Sequence, residues 1–488
     1  MGQNVEFDGL TLLVKFVLKP LNYHGKLVEF GTFAGIEIFY MEIVIKLGQF
    51  LLSLSLLIVL HELGHFIPAK LFKTRVEKFY LFFDIKYSLL KKKIGETEYG
   101  IGWLPLGGYV KIAGMIDESM DTEQLNGEPQ AWEFRSKPAW QRLIIMLGGV
   151  LVNFILAFVI YIGITAFYGE QYIDNKDVTN GVWVANPALK SVGIQTGDQI
   201  VAVDGEPVER FYELNEKILL AHHVTVIRAN KEITLDIPVD FPDQIMKAKL
   251  GALVQLRIPF IVKEMTPGSA NVNVFKPKDQ LLQFDGKDIQ YADQLIEMLP
   301  QYAGKTIACK VLRDQQTIDV NAQVNNKGKF GLQYAVMLPP DNLEKLGLYK
   351  IHQKEYSFVE SIPIGISHGW NQLTSYGRQL KAIFNPSTGA YKGVGGFAAI
   401  FNVFPQTWSW LAFWSITAFL SIMLGVMNLL PIPALDGGHV VFLLYEIVSG
   451  RKPSDKFLEK AQMVGFFMLI ALLLFANGND LFKFITGK

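Results

Sequence analysis

An uncharged, leucine-rich stretch, residues 50–60, runs without a break into His61-Glu62-Leu63-Gly64-His65, and this junction limits the possible fold more than any other feature of the chain. Extended to residues 43–67, the segment is long enough to cross a bilayer, which takes roughly 20 residues of helix. In hydrocarbon every backbone N–H and C=O must bond within the segment, so it has to be helical. A helix puts His61 and His65 one turn apart on one face, where both imidazoles can reach a single metal ion. Glu62 stands beside that face, where a carboxylate can take a proton from metal-bound water. A charge at mid-membrane costs roughly 2.5–3.5 kcal/mol on insertion scales, so ionisable groups there point to function. The competing reading is a chance match on a buried helix.

Composition supports a membrane setting. The 488 residues are 50% hydrophobic and 19% charged, with a mean hydropathy of +0.24, which predicts a polytopic membrane protein carrying soluble parts. With 46 basic and 46 acidic residues, nothing in the charge balance favours nucleic acid as a partner. The single cysteine, Cys309, rules out an internal disulfide and a thiolate metal site. Its setting, Ile307-Ala308-Cys309-Lys310-Val311, reads as a buried strand. Residues 1–40 contain apolar pieces broken by Lys15, Lys19, Pro20, Lys26 and Glu29, fitting neither a signal peptide nor a span. They are expected to be an N-terminal extension, with Met41 as the native start.

About four spans are expected, near 43–67, 143–167, 408–430 and 463–482, the third entered through Trp408, Trp410 and Trp414. The fourth has a short apolar core, so a re-entrant segment is the alternative there. Basic residues cluster at Lys70, Lys73, Arg75 and Lys78, at Arg135, Lys137 and Arg142, and at Arg451, Lys452, Lys456 and Lys460. By the positive-inside rule, loops 68–140 and 431–462 are cytoplasmic and 168–407 faces outward. The membrane domain is thus expected in two parts, 41–168 and 406–488.

The outward region contains a repeat. Gly197-Asp198-Gln199-Ile200-Val201-Ala202-Val203-Asp204-Gly205 matches Lys278-Asp279-Gln280-Leu281-Leu282-Gln283-Phe284-Asp285-Gly286. Each copy combines alternating strands with a helical stretch. Two α+β units like the peptide-binding PDZ domain are predicted over 178–250 and 255–335, the alternative being β-rich spacers. Residues 99–112, including Gly107-Gly108-Tyr109-Val110, read as a membrane-associated β-hairpin with glycine-rich turns. Residues 360–405 begin with an amphipathic helical pattern, either an interfacial helix or a helix packed on the PDZ pair.

A catalytic zinc site generally takes three protein ligands. Of the remaining histidines only His439 is near a span, and close to it Pro431 and Pro433 break the helix ahead of Asp436. Taken alone, Asp436-Gly437 would be only a turn. Together, the motifs resemble the site-2 protease family of intramembrane zinc metalloproteases, in its bacterial regulator-of-sigma-E branch, from Met41 to the C-terminus. The resemblance rests on His-Glu-x-x-His, Gly-Gly-Tyr-Val-Lys, Phe134-x-x-Lys137-Pro138, the repeat, and Asn428-x-x-Pro431-x-Pro433-x-Leu435-Asp436-Gly437. It departs from the family at Gly148-Gly149-Val150, where Ala-Gly-Pro is usual, and at Gly393-Val394-Gly395-Gly396, which replaces a Gly-Pro-Ile element. Both departures are expected to affect helix packing and not the metal.

The resemblance implies one zinc ion per chain held by His61, His65 and Asp436, with Glu62 as catalytic base and Asn428 on the substrate backbone. It implies a multi-pass protein of the bacterial inner membrane whose PDZ-like units face the periplasm. Its substrates would be single-span membrane proteins, such as anti-sigma factors or leftover signal peptides, already trimmed by another protease. A transmembrane helix hides its amides, so the substrate must unwind; the edge at Gly107, Gly108, Tyr109 and Val110 could accept it as an added strand. The alternatives are a membrane-anchored peptidase of soluble or signal peptides, a non-catalytic scaffold binding chain ends through its PDZ units, and a transporter. The charged residues retained in lipid weigh against the scaffold, and four spans without an inverted repeat weigh against the transporter.

Overall fold

The computed structural model describes residues 33–486 except 106, 116–127 and 249–251. The expected extension 1–40 therefore lies mostly outside the described residues. Its last part, from Phe33, continues into the first helix. Six helices frame the site: α1 (Phe33–Leu71), α2 (Ala139–Tyr168), α3 (Phe358–Phe384), α4 (Trp410–Leu429), α5 (Asp436–Ser449) and α6 (Asp455–Thr486). Among the described residues four helical segments are long and apolar enough to cross a membrane: Met41–Leu71, Ala139–Tyr168, Trp410–Leu429 and Lys456–Ile485. The fourth is one continuous helix rather than a re-entrant turn.

Small residues and hydroxyls join these helices, as expected where lipid removes the hydrophobic drive for helix association. Gly64 of α1 lies on Gly148 and Gly149 of α2 so closely that a Cβ on Gly64 or Gly148 would enter the other's backbone. The hydroxyl of Thr417 on α4 donates to Ser53 Oγ on α1 at 2.9 Å, and Ser421 Oγ donates to the Asn153 carbonyl at 2.7 Å. α5 packs on the start of α2, where Val440 and Leu443 join Ile145 and Met146 in one core.

Between α1 and α2 lies a four-stranded sheet: β1 (Val76–Leu81), β2 (Phe83–Ile94), β3 (Thr97–Leu104) and β4 (Tyr109–Ile112), in the order β2-β3-β1-β4. The hairpin expected over 99–112 does not form. β1 is inserted between its arms, parallel to β3 and antiparallel to β4. Glycine was read as a turn signal there, yet Gly100 and Gly102 lie inside β3. They make room for the Tyr80 ring and the Phe83 backbone. The true hairpin joins β2 to β3 through Gly95, at φ 62°. β4 is an edge strand, paired only with β1 among the described strands.

α2 leads into β5 (Glu170–Tyr172), and the repeat follows. One unit contains β6 (Val182–Val184), β7 (Gln199–Val203), β8 (Glu206–Pro207), β9 (His223–Arg228), β10 (Lys231–Asp236) and β11 (Val254–Leu256). The next contains β12 (Val262–Met265), β13 (Gln280–Phe284), β14 (Lys287–Asp288), β15 (Thr306–Arg313), β16 (Gln316–Gln323) and β17 (Leu332–Tyr334). Their sheets have the same order, β10-β9-β7-β8 and β16-β15-β13-β14, and in each unit the first strand pairs with the last. Asp204 and Asp285 take up left-handed backbone at φ 51° and 50°, which Asp tolerates ahead of Gly205 and Gly286. Lys278, the departure from the Gly-Asp pattern, holds φ 75° where Gly197 has 96°, so the loop keeps the shape that glycine allows.

The units have separate cores. That of the first begins at Ile173 and recruits Leu343 and Tyr349 from well beyond the expected boundary; that of the second spans Phe260 to Phe330. β18 (His352–Lys354) returns to pair with β5. α3 then lies along α2, with Gly365 on Ile162 and Gly369 on Phe158, and touches the first unit where Ser375 and Arg378 meet Glu216. Glu170 ties this junction together, accepting from Tyr356 at 2.8 Å and Arg210 at 3.1 Å and pairing with His368 at 2.6 Å. Burial pushes its carboxyl upward, but the hydrogen bonds of Tyr356 and Arg210 and the neighbouring positive charges bring it below its ordinary value.

At the equivalent position of the repeat, each unit buries a carboxylate under an arginine. Arg228 donates to both oxygens of Asp198 at 2.7 and 2.6 Å, and Arg313 to both of Asp279 at 2.8 and 2.6 Å. Arg228→Leu leaves the Asp198 charge buried alone, a loss of about 2–4 kcal/mol. In limited proteolysis this variant is expected to be cut within 173–258 at protease levels that spare 260–330. Equal resistance of the two units would show that the pair does not hold the first unit.

Candidate metal centre

Three donors converge where α1, α2 and the start of α5 meet. His61 and His65 project from one face of α1, their rings 4.8 Å apart and nearly perpendicular. Asp436 arrives from the opposite end of the sequence. α4 stops at Leu429, and the loop carrying Pro431 and Pro433 passes through Ala434 at φ 91°. α5 then starts at Asp436 itself. Gly437 and Gly438 lie against the carbonyls of Leu430 and Ile432, where a Cβ would not fit, so the loop folds tightly over the helix start.

His61 Nε2 and His65 Nε2 are 3.3 Å apart, and each is 3.4 Å from Asp436 Oδ2. A point equidistant from atoms so spaced lies about 2 Å from each, matching zinc–nitrogen bonds of roughly 2.0–2.1 Å and zinc–oxygen bonds of roughly 2.0–2.2 Å. Asp436 Oδ2 is buried and accepts no hydrogen bond. A buried carboxylate oxygen left in that state is costly unless a cation claims it. The donor set, the spacing and the orphaned oxygen all fit a zinc ion.

The two imidazoles are oriented from behind. His65 Nδ1 lies 2.9 Å from the Ile145 carbonyl, an acceptor that fixes the proton on Nδ1 and leaves Nε2 able to bind a metal. His61 Nδ1 lies 3.0 Å from the Asn153 amide, and the Asn428 amide is 3.2 Å from His61 Nε2. Gly149 forms the floor: a Cβ there would collide with both imidazoles. Gly148, which stands where alanine is usual, packs on the Gly64 backbone as expected, whereas Gly149, which coincides with the usual glycine, touches the site directly.

A cavity of about 650 Å³ opens from this point, and Glu62, Gly108, Tyr109, Val110, Asp436 and His439 are among its lining residues. Of the residues singled out from sequence, His61, His65, Glu62, Asp436, Gly108, Tyr109 and Val110 are thus brought together, with Asn428 at the edge. Gly107 is not among the lining residues and faces the Phe83 ring. Burial, and then the Asp84 carboxylate that accepts from its hydroxyl at 2.8 Å, push the Tyr109 phenol far above its ordinary range, so it stays protonated. His439 reaches the cavity wall without joining the cluster of donor atoms. The residues that sequence reasoning missed are Gly149, Asn153 and the Ile145 carbonyl. Their only signal was an asparagine alone in an apolar span. A second His–carboxylate group, Asp174, Asp177 and His352, lies at the β5–β18 junction, where Lys176 already pairs with Asp174 at 3.1 Å.

A two-histidine, one-carboxylate centre beside a glutamate, set among membrane-spanning helices, defines a metal-dependent hydrolase of the membrane. The profile of peptidase family M50 matches residues 49–472. The chain is 27% identical over 470 residues to the regulator of sigma E protease of Haemophilus influenzae, covering 91% of this chain and 100% of that protein. It is 26% identical over 464 residues to metalloprotease MmpA of Caulobacter vibrioides, covering 91% of this chain and 98% of that one. The chain belongs to peptidase family M50, the site-2 protease family, and is a zinc metalloprotease that acts within the membrane.

The floor of the site makes a direct prediction. Gly149→Ala is expected to weaken zinc binding at least tenfold in a chelator-competition titration, because its methyl occupies the space of the imidazoles. Wild-type affinity in that variant would mean that α1 and α2 separate easily at this point.

Proposed function

We propose that His61, His65 and Asp436 hold the zinc ion, that Glu62 is the catalytic base, and that the substrate is an unwound transmembrane segment laid along β4. The observation that carries this reading is the buried, orphaned Asp436 oxygen 3.4 Å from both imidazole nitrogens. Zinc, when bound, lowers the pKa of water from 15.7 to about 7 and polarises the scissile carbonyl. Glu62 accepts the proton of the attacking water and returns it to the leaving nitrogen. With His61 Nε2 committed to zinc, the Asn428 amide turns from that atom to the substrate backbone. Gly108, Tyr109 and Val110 offer backbone groups of the edge strand to an extended peptide, and the cavity lies between that edge and Glu62.

The two repeat units are read as PDZ-like domains outside the membrane, over 178–250 and 255–335. They filter substrates so that only single-span proteins pre-cut by another protease reach the site. The distribution of basic residues supports an orientation with the β1–β4 sheet on the cytoplasmic side and the repeat units on the opposite side, the periplasm in the bacterial inner membrane proposed here. Deleting 178–335 is then expected to permit cleavage of untrimmed single-span substrates; if these stay intact in the deletion variant, the filter reading fails.

The chemistry is tested by zinc content and by cleavage of a single-span reporter in detergent. Wild type and Glu62→Gln are expected to carry about one zinc per chain, and Asp436→Ala much less. Cleavage disappears in both variants, whereas Val110→Pro keeps zinc and loses most cleavage. Full zinc in Asp436→Ala would place the third ligand elsewhere, and unimpaired cleavage by Val110→Pro would remove β4 from substrate binding.

A further inference from the structure

We infer that Asn153 is a positioning residue for the metal centre, its side-chain carbonyl accepting the Nδ1 proton of His61 and so aiming Nε2 at zinc. This inference rests on the ligand set proposed above. Asn153 is fully buried in α2, and its amide lies 3.0 Å from His61 Nδ1. An imidazole that coordinates through Nε2 carries its proton on Nδ1, and that N–H needs an acceptor. The two ends of an asparagine amide fill nearly the same outline, so its orientation follows from the hydrogen bonds it can make. With the amino group toward His61, Oδ1 is buried without any partner. Two N–H groups would also face each other once Nε2 binds metal. Turning the carbonyl toward His61 removes that conflict.

The surroundings hold Asn153 in place. Ser421 Oγ of α4 donates to its backbone carbonyl at 2.7 Å, and Gly425 leaves room beside its Cβ. His65 has the corresponding arrangement, with the Ile145 carbonyl 2.9 Å from its Nδ1. α2 therefore flanks both histidines, His65 with the Ile145 carbonyl and His61 with the Asn153 side chain beside the Gly149 backbone. This gives a polar residue in the middle of an apolar span a specific task.

The test measures zinc affinity by chelator competition, in detergent, for wild type, Asp436→Ala, Asn153→Leu and Asn153→Asp, with the melting temperature of each zinc-free protein alongside. Removing such an outer partner typically costs 10–100-fold in metal affinity. Asn153→Leu is expected to bind zinc 10–100-fold more weakly while its zinc-free form melts like zinc-free wild type. Asn153→Asp, which restores an acceptor, is expected within about threefold of wild type. Asn153→Val carries the same test should the leucine variant not fold. Unchanged affinity in Asn153→Leu, or equal losses in the leucine and aspartate variants, would overturn the inference. Absence of zinc from wild type, or full retention by Asp436→Ala, would instead overturn the ligand set on which it rests.

Discussion

The close seam between α1 and α2 is the contact on which the rest of the site depends. Gly64 against Gly148 and Gly149 lets two helix backbones touch, and that touch fixes where the imidazoles of α1 can go. Because α2 has no side chain at Gly149, the rings lie directly on its backbone. There the Ile145 carbonyl and the Asn153 amide meet their Nδ1 atoms. A soluble enzyme could rely on burial of large side chains to hold two helices in register. Between helices in lipid that drive is missing, and close packing with a few hydrogen bonds of about 0.6–2 kcal/mol each does the work instead. One of the glycines that allow the helices to pack, Gly149, is also the floor beneath the imidazoles.

Asp436 solves a different problem, that of delivering a charged group to the middle of a membrane protein without a continuous polar path. α4 ends at Leu429, the proline-bearing loop turns the chain, and α5 restarts at the aspartate. The carboxylate thus occupies a helix N-terminus, where aligned peptide dipoles favour negative charge. α5 is anchored in turn to α2, through Val440 and Leu443 in the shared core and through Arg142, which donates to Glu446 at 2.5 Å. All three donors are therefore referenced to one helix, α2, although none of them belongs to it.

How much of this was legible in the sequence depended on the range of the interaction. His61, Glu62 and His65 could be read because helical periodicity is local. The repeat could be read because the Asp-Gly pairs at 204–205 and 285–286 suit the left-handed turn that both copies adopt. Asp436 was legible only as part of a longer motif, since nothing in its own neighbourhood distinguishes a ligand from a turn. Glycines misled in both directions. Gly100 and Gly102 suggested turns but serve as clearance for Tyr80 and Phe83, and Gly149 suggested packing but touches both histidines. A glycine reports that something comes close without saying what, and the partner belongs to another element. The same limit hid Leu343 and Tyr349, which complete the first unit's core from beyond the second unit.

The edge strand beside the site follows from the energetics of the substrate. A transmembrane helix satisfies all its backbone groups internally, and each group exposed in hydrocarbon costs several kcal/mol. Unwinding even a few residues for attack would be prohibitive without replacement partners. In the proposed function β4 provides them in a form that also presents the scissile carbonyl from an extended backbone, a strand paired only with β1 among the described strands. An open edge is normally an aggregation hazard that proteins cover or blunt. Here the edge borders a cavity of about 650 Å³ that Glu62 also lines, and Tyr109, held protonated by burial and Asp84, is part of its wall. The sheet lies where α1 ends, its edge strand lining the same cavity as His61, His65 and Asp436. The insertion of β1 between β3 and β4, which breaks the expected hairpin, is what leaves β4 at that edge.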